Sequence, residues 1–422
     1  MTPDLFGELD WRGLVAHSTD PDSLRAVLAG DPISFYCGFD PTAESLHFGN
    51  LVQLVTMRRL QLGGHHPIAV VGGATGLIGD PSGRSAERNL NEAEVVGDWV
   101  ERIRGQVERY LAFDGANAAR IVNNLDWTAP LSALDFLREI GKHFSVNRML
   151  DKESVSARLG GSGISFTEFS YQVLQALDYL ELHRRHGCVL QTGGSDQWGN
   201  LTAGVDLIRR VTGDTVHALA TPLITKADGT KHGKTAGGTL WLDPQLTSPY
   251  AFYQYFVNAD DADVVALLKV FSFRSRAEIE ELVAATAARP EAREAQQALA
   301  AELTTLVHGE VETDRVLLAS RALFGQGALT DVDRATLEAT MAELPRAEVR
   351  GDLPPIVDLL VATGLSESRS AARRTISEGG AYLNNERVSD PAATPAARDL
   401  LHDRWLLLRR GRRNLAVVER LP

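Results

Sequence analysis

Lys231-His232-Gly233-Lys234-Thr235 places two lysines on one short stretch, with Gly229, Gly237 and Gly238 around it. Two ammonium groups on a glycine-rich loop suit the holding of a departing polyphosphate, because the charge is met only when such a loop closes. The stretch ends like a P-loop, but Gly229 stands one residue too close for G-x-x-x-x-G-K-[ST], and no strand feeds directly into a helix there. Gly72-Gly73-Ala74-Thr75-Gly76 does not spell G-x-G-x-x-G either. A Walker ATPase and a dinucleotide-binding dehydrogenase therefore both lose support.

A second candidate runs from Cys37-Gly38-Phe39-Asp40-Pro41-Thr42 to His47-Phe48-Gly49-Asn50. It follows a short strand and opens a helix, which is where backbone N–H groups and the helix dipole favour a phosphate. Thr42 and His47 add side-chain donors, and Gly49 leaves room for a nucleotide to approach. A third lies on Tyr171 to Leu180. At about 100° per residue, Gln175 falls roughly 40° to one side of Tyr171 and Asp178 roughly 20° to the other. A phenol, an amide and a carboxylate on one face of an apolar helix either satisfy one another or grip a polar ligand. The fourth is Gln191 to Asn200, where Gly193 and Gly194 let a ligand reach the backbone and Asp196 can accept from hydroxyls such as a ribose's.

The elements that must position these groups read as α/β in the first half. Ile33–Phe35, Ile68–Val71 and Cys188–Leu190 are short apolar strands alternating with helical stretches, which implies a parallel sheet with crossover helices. Asn50–Leu62 reads as a helix stopped by Gly63-Gly64. From 247 to 325 the pattern is helical, with a capping box at Ser275 and Glu278. Residues 326–353 read as a linker ending in Gly351-Asp352-Leu353-Pro354-Pro355. Residues 354–422 read as a small α+β module: a helix capped by Ser366 and carrying Arg369 and Arg373 on one face, then two strands joined by the basic turn from Arg409 to Asn414.

The whole chain of 422 residues is 44% hydrophobic and 23% charged, an ordinary globular composition. Apolar runs are short, and the start, MTPDLFGELDW, has no basic segment followed by an apolar one. Neither a membrane span nor a secretory signal is expected, and a cytoplasmic location is. Two cysteines, Cys37 and Cys188, support neither a disulfide framework nor a zinc site. The net charge of −12 argues against a protein that coats DNA nonspecifically. Residues 351–422, however, hold eleven Arg and no Lys against nine Asp or Glu, a balance of +2 that leaves −14 on the remainder. That asymmetry points to a polyanion partner for the tail.

Taken together, YCGFDPTAESLHFGN, VVGGATGLIGDPSG, GISFTEFSYQVLQALDYL, QTGGSDQWGN, KADGTKHGKT and the Arg-rich tail resemble, in order and over essentially the whole chain, the bacterial-type tyrosyl-tRNA synthetases of class I. The resemblance implies a Rossmann-like parallel-sheet catalytic domain over 1–246, an α-helical anticodon-arm domain over 247–325, the linker 326–353, and a ribosomal-protein-like RNA-binding domain over 354–422. His47-Phe48-Gly49-Asn50 matches the HIGH signature with Asn50 in place of its second histidine, and Lys231 to Thr235 matches the KMSKS loop with His232 at a position expected to be apolar. By the same resemblance Tyr36 and Asp178 receive the phenol of tyrosine, Asp80, Tyr171 and Gln175 surround its ammonium, and Gln197 lies near its carboxylate. Cys37, Gly38, Gly49, Asn50, Gly194 and Asp196 belong to the ATP site. Thr42, His47, Lys231, Lys234, Arg84 and Arg88 hold its β- and γ-phosphates. Arg369, Arg373, Arg374, Arg409, Arg410, Arg412 and Arg413 face tRNA. ATP is expected as a substrate with Mg²⁺, without a tightly bound cofactor or a dedicated protein metal site. A homodimer is implied, with no membrane or DNA partner. Tryptophan ligation by the sibling synthetase and a non-catalytic RNA binder on the same scaffold are the competing readings.

Overall fold

The computed structural model describes residues 4–82, 91–151, 155–156, 159, 163–235, 238–411 and 414–421, with the backbone alone at 234 and 235. Strands β3 (His66–Val71) and β6 (His217–Thr221) are buried along nearly their whole length. That pattern belongs to parallel strands covered on both faces. With β1 (His17–Ser18), β2 (Ser34–Phe39), β4 (Arg120–Asn123) and β5 (Cys188–Gly194) they form one sheet in the order β1-β6-β5-β2-β3-β4. All neighbouring pairs are parallel except β1 with β6. The order reverses between β2 and β5, so this parallel sheet has a switch point there, and ligands of such sheets sit beyond the carboxyl ends at that point.

Helices complete the layers. Phe48–Leu62 follows β2 and begins two residues before the expected Asn50, because Asn50 is the third residue of a capping box whose cap is His47. Phe166–His186 is capped by Ser165, whose hydroxyl accepts from the Glu168 N–H, and stops at Gly187 in the left-handed region (φ 60°). Its inner side chains Leu177, Tyr179 and Leu180 join Tyr36, Ile68, Cys188, Leu207 and Ile208 in one core.

The chain divides into two compact units, residues 1–246 with 260–295, and residues 247–259 with 296–422. The helices expected as one block therefore separate. Asp261–Phe271 and Arg276–Ala288 belong with the sheet. Two buried guanidiniums fix them there: Arg12 donates to the carbonyls of Lys269, Ser272 and Arg274, and Arg59 to those of Val270 and Ser272. The expected capping box of Ser275 with Glu278 is present.

In the second unit, Pro249–Val257, Glu310–Leu323 and Arg334–Ala342 are helices. The stretch read as a linker, 326–353, thus contains the helix Arg334–Ala342 and a strand, β9 (Arg346–Arg350). Sparse apolar residues concealed both: the helix buries only Thr336, Leu337, Thr340 and Met341, and β9 is half exposed. Counting the short β7 (Lys234–Thr235) and β8 (Gly238–Thr239) of the first unit, the last strands are β10 (Ala381–Leu383), β11 (Glu386–Arg387), β12 (Trp405–Arg410) and β13 (Asn414–Leu421). Their sheet runs β11-β10-β12-β13-β9, with β9 parallel to β13. Ile356, Leu359, Leu360, Ala372, Ile376, Leu406, Leu408 and Val418 form its core against helices Ile356–Ala362 and Arg369–Ser377. The second of these helices is capped by Ser368, not by Ser366. Gly364 (φ 75°) turns the chain after the first helix, Ser366 is buried with its N–H donating back to the Leu360 carbonyl, and the Ser368 hydroxyl accepts from the Ala371 N–H.

Candidate active site

The carboxyl ends of β2, β3, β5 and β6 border a cavity of about 700 Å³. It is lined by Tyr36, Cys37, Gly38, Thr42, His47, Gly49 and Asn50, by Asp80, Tyr171, Gln175 and Asp178, and by Gly194, Asp196, Gln197 and Lys231. The separate motifs of the sequence thus meet at the switch point of the sheet. Arg84 and Arg88 lie outside the described residues, as does the side chain of Lys234.

At the buried end, Asp178 is 4% exposed and accepts from Asn124 Nδ2 (3.0 Å) and Trp127 Nε1 (2.8 Å). Burial pushes its carboxyl up to about 7 against the pull of these two donors, and the charges of Asp40 and Glu181 add to the rise. The Tyr36 hydroxyl is buried and has no hydrogen-bond partner among the described residues. Its titration lies well above the ordinary phenol value, through burial first and the Asp178 charge second, so it is a neutral donor. The arrangement offers a donor and an acceptor to one polar atom.

A second group of carboxylates lies along the same cavity. Tyr171 donates to Asp40 Oδ2 (2.6 Å), and Thr75 donates to Asp40 Oδ1 (2.6 Å). Burial, followed by the charges of Asp40 and Asp80, raises the Tyr171 phenol well above its usual value. Asp80 accepts from the Ser82 N–H (3.0 Å) and from Gln197 Nε2, whose Oε1 accepts from Asn200 (3.0 Å). Gln175 Oε1 is buried without a hydrogen-bond partner among the described residues. The three-group face of helix Phe166–His186 therefore does not close on itself. Tyr171 and Asp178 bond to other elements, and the Gln175 oxygen adds an acceptor to an already anionic end that suits a cation.

The opposite end is built from signature segments. His47 precedes helix Phe48–Leu62, and its N–H donates to Asn50 Oδ1 (3.0 Å). This bond occupies the amide oxygen and leaves the Asn50 NH₂ group to serve as a donor, as a histidine N–H would. Gly49 lines the cavity, and a Cβ there would lie 2.9 Å from His47 Cε1, so the glycine also makes room for the imidazole. Burial raises the Cys37 thiol to about 12, which keeps it a neutral, weak donor. Asp196 is raised by burial and then by Asp80, while the Lys231 ammonium opposes the rise. Lys231 thus acts across the cavity on the group expected to meet a ribose.

Sequence reading missed Asp40, Asn124 and Trp127, which hold Tyr171 and Asp178. Asn124 had one usable signal, since it directly follows β4, but Trp127 lies a turn into the next helix (Leu125–Thr128) and had none.

The arginines expected to face tRNA are spread over the C-terminal module. Arg373 and Arg374 are exposed. Arg369 is paired with Asp358, Arg409 stacks on Tyr382 (3.9 Å), and Arg410 donates to the Leu365 carbonyl. Arg412 and Arg413 lie outside the described residues.

Comparison with known proteins gives the family. Residues 28–325 match the family of class I tRNA synthetases for tryptophan and tyrosine, and residues 336–418 match the C-terminal domain of tyrosine–tRNA ligases. The tyrosine–tRNA ligase of Streptomyces coelicolor is 62% identical over 418 residues, covering 99% of both chains. That of Mycobacterium tuberculosis is 59% identical over 424 residues, covering 100% of both. Among solved structures, the C-terminally truncated mitochondrial tyrosyl-tRNA synthetase of Aspergillus nidulans superposes with a TM-score of 0.70 at 29% identity, over 76% of this chain and 94% of that one. With its sheet, its cavity and its full-length relatives in agreement, the chain belongs to the class I tRNA synthetases and, within them, to the tyrosine–tRNA ligases.

Proposed function

We infer that the chain activates L-tyrosine with ATP and transfers it to the 3′ end of its tRNA, with each end of the cavity serving one substrate. The observation that carries the assignment of the pocket is the buried pair of Tyr36 and Asp178. The phenol hydroxyl of tyrosine donates to the Asp178 carboxylate and accepts from Tyr36. Its ammonium lies among Asp80, Tyr171 and Gln175, and its carboxylate near Gln197. An indole N–H could use Asp178 but would leave the Tyr36 donor unmet, which argues against tryptophan.

No general base is needed. The tyrosine carboxylate is already a nucleophile and attacks the α-phosphorus of ATP in line, the α–β bridging bond breaks, and pyrophosphate leaves. Cys37, Asn50, Gly194 and Asp196 hold the adenosine, with Gly38 and Gly49 close to the nucleotide. Thr42, His47, Lys231, Lys234, Arg84 and Arg88 meet the charge on pyrophosphate. Mg²⁺ would enter with ATP as part of the substrate and would offset charge on its phosphates. In the second step a ribose hydroxyl of the tRNA attacks the tyrosyl carbonyl and AMP departs. Arg369, Arg373, Arg374, Arg409, Arg410, Arg412 and Arg413 supply forked donors to the tRNA backbone. The enzyme works in the cytoplasm as a homodimer. Exposed apolar side chains on the sheet unit support the pairing, Leu134 (79%), Leu137 (56%), Val146 (57%) and Phe166 (75%) among them. Among the described residues no helix is long and apolar enough to cross a membrane.

The direct test is ATP/pyrophosphate exchange measured with each amino acid in turn. Exchange should require tyrosine, and exchange supported equally by tryptophan would overturn the assignment. The pocket also predicts a pH dependence. As pH falls through about 7, Asp178 in the empty enzyme takes up a proton and loses its charge, so tyrosine affinity measured by equilibrium dialysis should weaken on the acid side. The dependence should be absent in Asp178→Asn. A wild-type affinity that stays level across that range would remove the carboxylate from the phenol site.

A further inference from the structure

The signature loop that carries Lys231 is the outgoing limb of a hairpin spanning 224–233. Thr225 bridges to Lys231, Lys226 N–H donates to Thr230 O (2.7 Å), and His232 N–H donates to Ile224 O (3.0 Å). Beneath the hairpin lies the carboxylate of Asp263, in the first turn of helix Asp261–Phe271. Its Oδ1 accepts from the Ala227 N–H (2.7 Å) on the incoming limb, and its Oδ2 stands 3.7 Å from His232 Nε2 on the outgoing limb. Both side chains are buried, at 7% and 4% exposure.

The same helix reaches the other signature segment. Phe271 packs on Phe48 with ring centroids 4.7 Å apart, and Phe48 presents its ring to His232 at 6.3 Å, nearly edge-on. The backbone closes the circuit: Phe48 N–H donates to Leu240 O (2.9 Å), and Leu240 N–H donates to Gly233 O (2.8 Å). Gly233 (φ 82°) permits this approach, since a Cβ there would lie 3.0 Å from Phe48 Cβ. An apolar side chain at 232 could fill the same space but could not answer a buried carboxylate. The histidine, which departs from the family pattern, is matched to Asp263.

We propose that Asp263 is a positioning residue for tyrosine activation: by accepting from the Ala227 N–H on one limb of the hairpin and standing against the His232 imidazole on the other, it sets where Lys231 stands at the phosphate end of the cavity. The inference rests on the assignment of Lys231 to the phosphates. A buried carboxylate bonded to one limb and packed against the other constrains their separation, and displacement of a charge by a fraction of an ångström at a reacting phosphate is costly in rate.

The test is a double-mutant cycle between Asp263 and Lys231, read as kcat and KM in tyrosine-dependent ATP/pyrophosphate exchange. Asp263→Ala should lower kcat about tenfold with the KM for tyrosine unchanged, and in a Lys231→Ala background the same change should cost less than about twofold. Asp263→Asn keeps an acceptor for Ala227 but loses the charge facing His232. It should fall between wild type and Asp263→Ala, and it carries the same cycle should the alanine variant fail to fold. Equal factors in both backgrounds would mean that Asp263 serves only the fold, and an unchanged kcat would leave it no role; either overturns the proposal. A Lys231→Ala enzyme with full kcat would refute the phosphate assignment and the anchor together. A slow Lys231→Ala enzyme with additive factors would refute the anchor alone.

Discussion

Asp178→Ala is expected to lower the enzyme's preference for tyrosine over phenylalanine by roughly 10- to 150-fold. The substitution deletes a charged acceptor from a buried site and leaves two more donors without it, Asn124 Nδ2 and Trp127 Nε1, which now bond to Asp178 at 3.0 and 2.8 Å. A hydrogen bond to a charged group contributes about 1.5–3 kcal/mol, or roughly 10- to 150-fold. The loss should fall on kcat/KM for tyrosine, because the phenol is held alike in ground state and transition state. Phenylalanine, which never satisfied the carboxylate, should lose little or even gain. Competitive exchange assays with the two amino acids check this, and an unchanged ratio of their kcat/KM values would take Asp178 out of the phenol site. The stability of the variant reports separately on the donors: Asp178→Asn, which keeps one acceptor oxygen, should melt at a higher temperature than Asp178→Ala.

The reasons these residues could or could not be foreseen are geometric. Tyr171, Gln175 and Asp178 are legible because one helical period places them on one face, and the period survives in the sequence. Their partners are not: Tyr171 meets Asp40 across 131 positions, and Asp178 meets Asn124 and Trp127 across 54 and 51. Apart from the place of Asn124 at the end of β4, nothing local in β4 or the short helix after it announces such pairs. The parallel sheet was readable from alternating apolar runs and loops, but its order, which creates the cavity between β2 and β5, depends on long-range pairing. The interval 326–353 failed for a related reason. β9 is a half-exposed strand with charge on its outer face, Arg346, Glu348 and Arg350, and it becomes a strand by pairing with β13 some seventy residues later. Likewise His232 was visible as a departure from the family pattern, while its partner Asp263 could be found only once helix Asp261–Phe271 was seen to lie beneath the hairpin.

That pairing of β9 with β13 also decides how the C-terminal module should be removed to test its role. A cut at 354 would strip β13 from β9 and leave an unpaired edge, which invites aggregation rather than reporting on tRNA. Ending the chain after Glu343 removes the whole five-stranded sheet and keeps the helix Arg334–Ala342. The links severed include polar ones: Arg404 to Glu338, His402 to the Val332 carbonyl, and Asn385 to the Ala322 carbonyl. The shortened enzyme should therefore retain tyrosine-dependent pyrophosphate exchange, because the cavity is built wholly from residues 36–241. Aminoacylation should fail much more severely. Loss of even two charge-assisted phosphate contacts at about 1.5 kcal/mol each is about 3 kcal/mol, or roughly 10²-fold in kcat/KM for tRNA. The residual RNA binding should also depend less on salt, by roughly 0.7–0.9 in the slope of log K against log salt for every phosphate contact removed. Charging at the full-length rate would make the module a structural appendage, and a normal salt slope with slow charging would place the arginines away from the RNA backbone. The two readouts together separate affinity for the polyanion from the placement of its 3′ end. That separation matters because the module carries a balance of +2 on a chain whose remainder is −14, so nonspecific attraction elsewhere on the surface is weak.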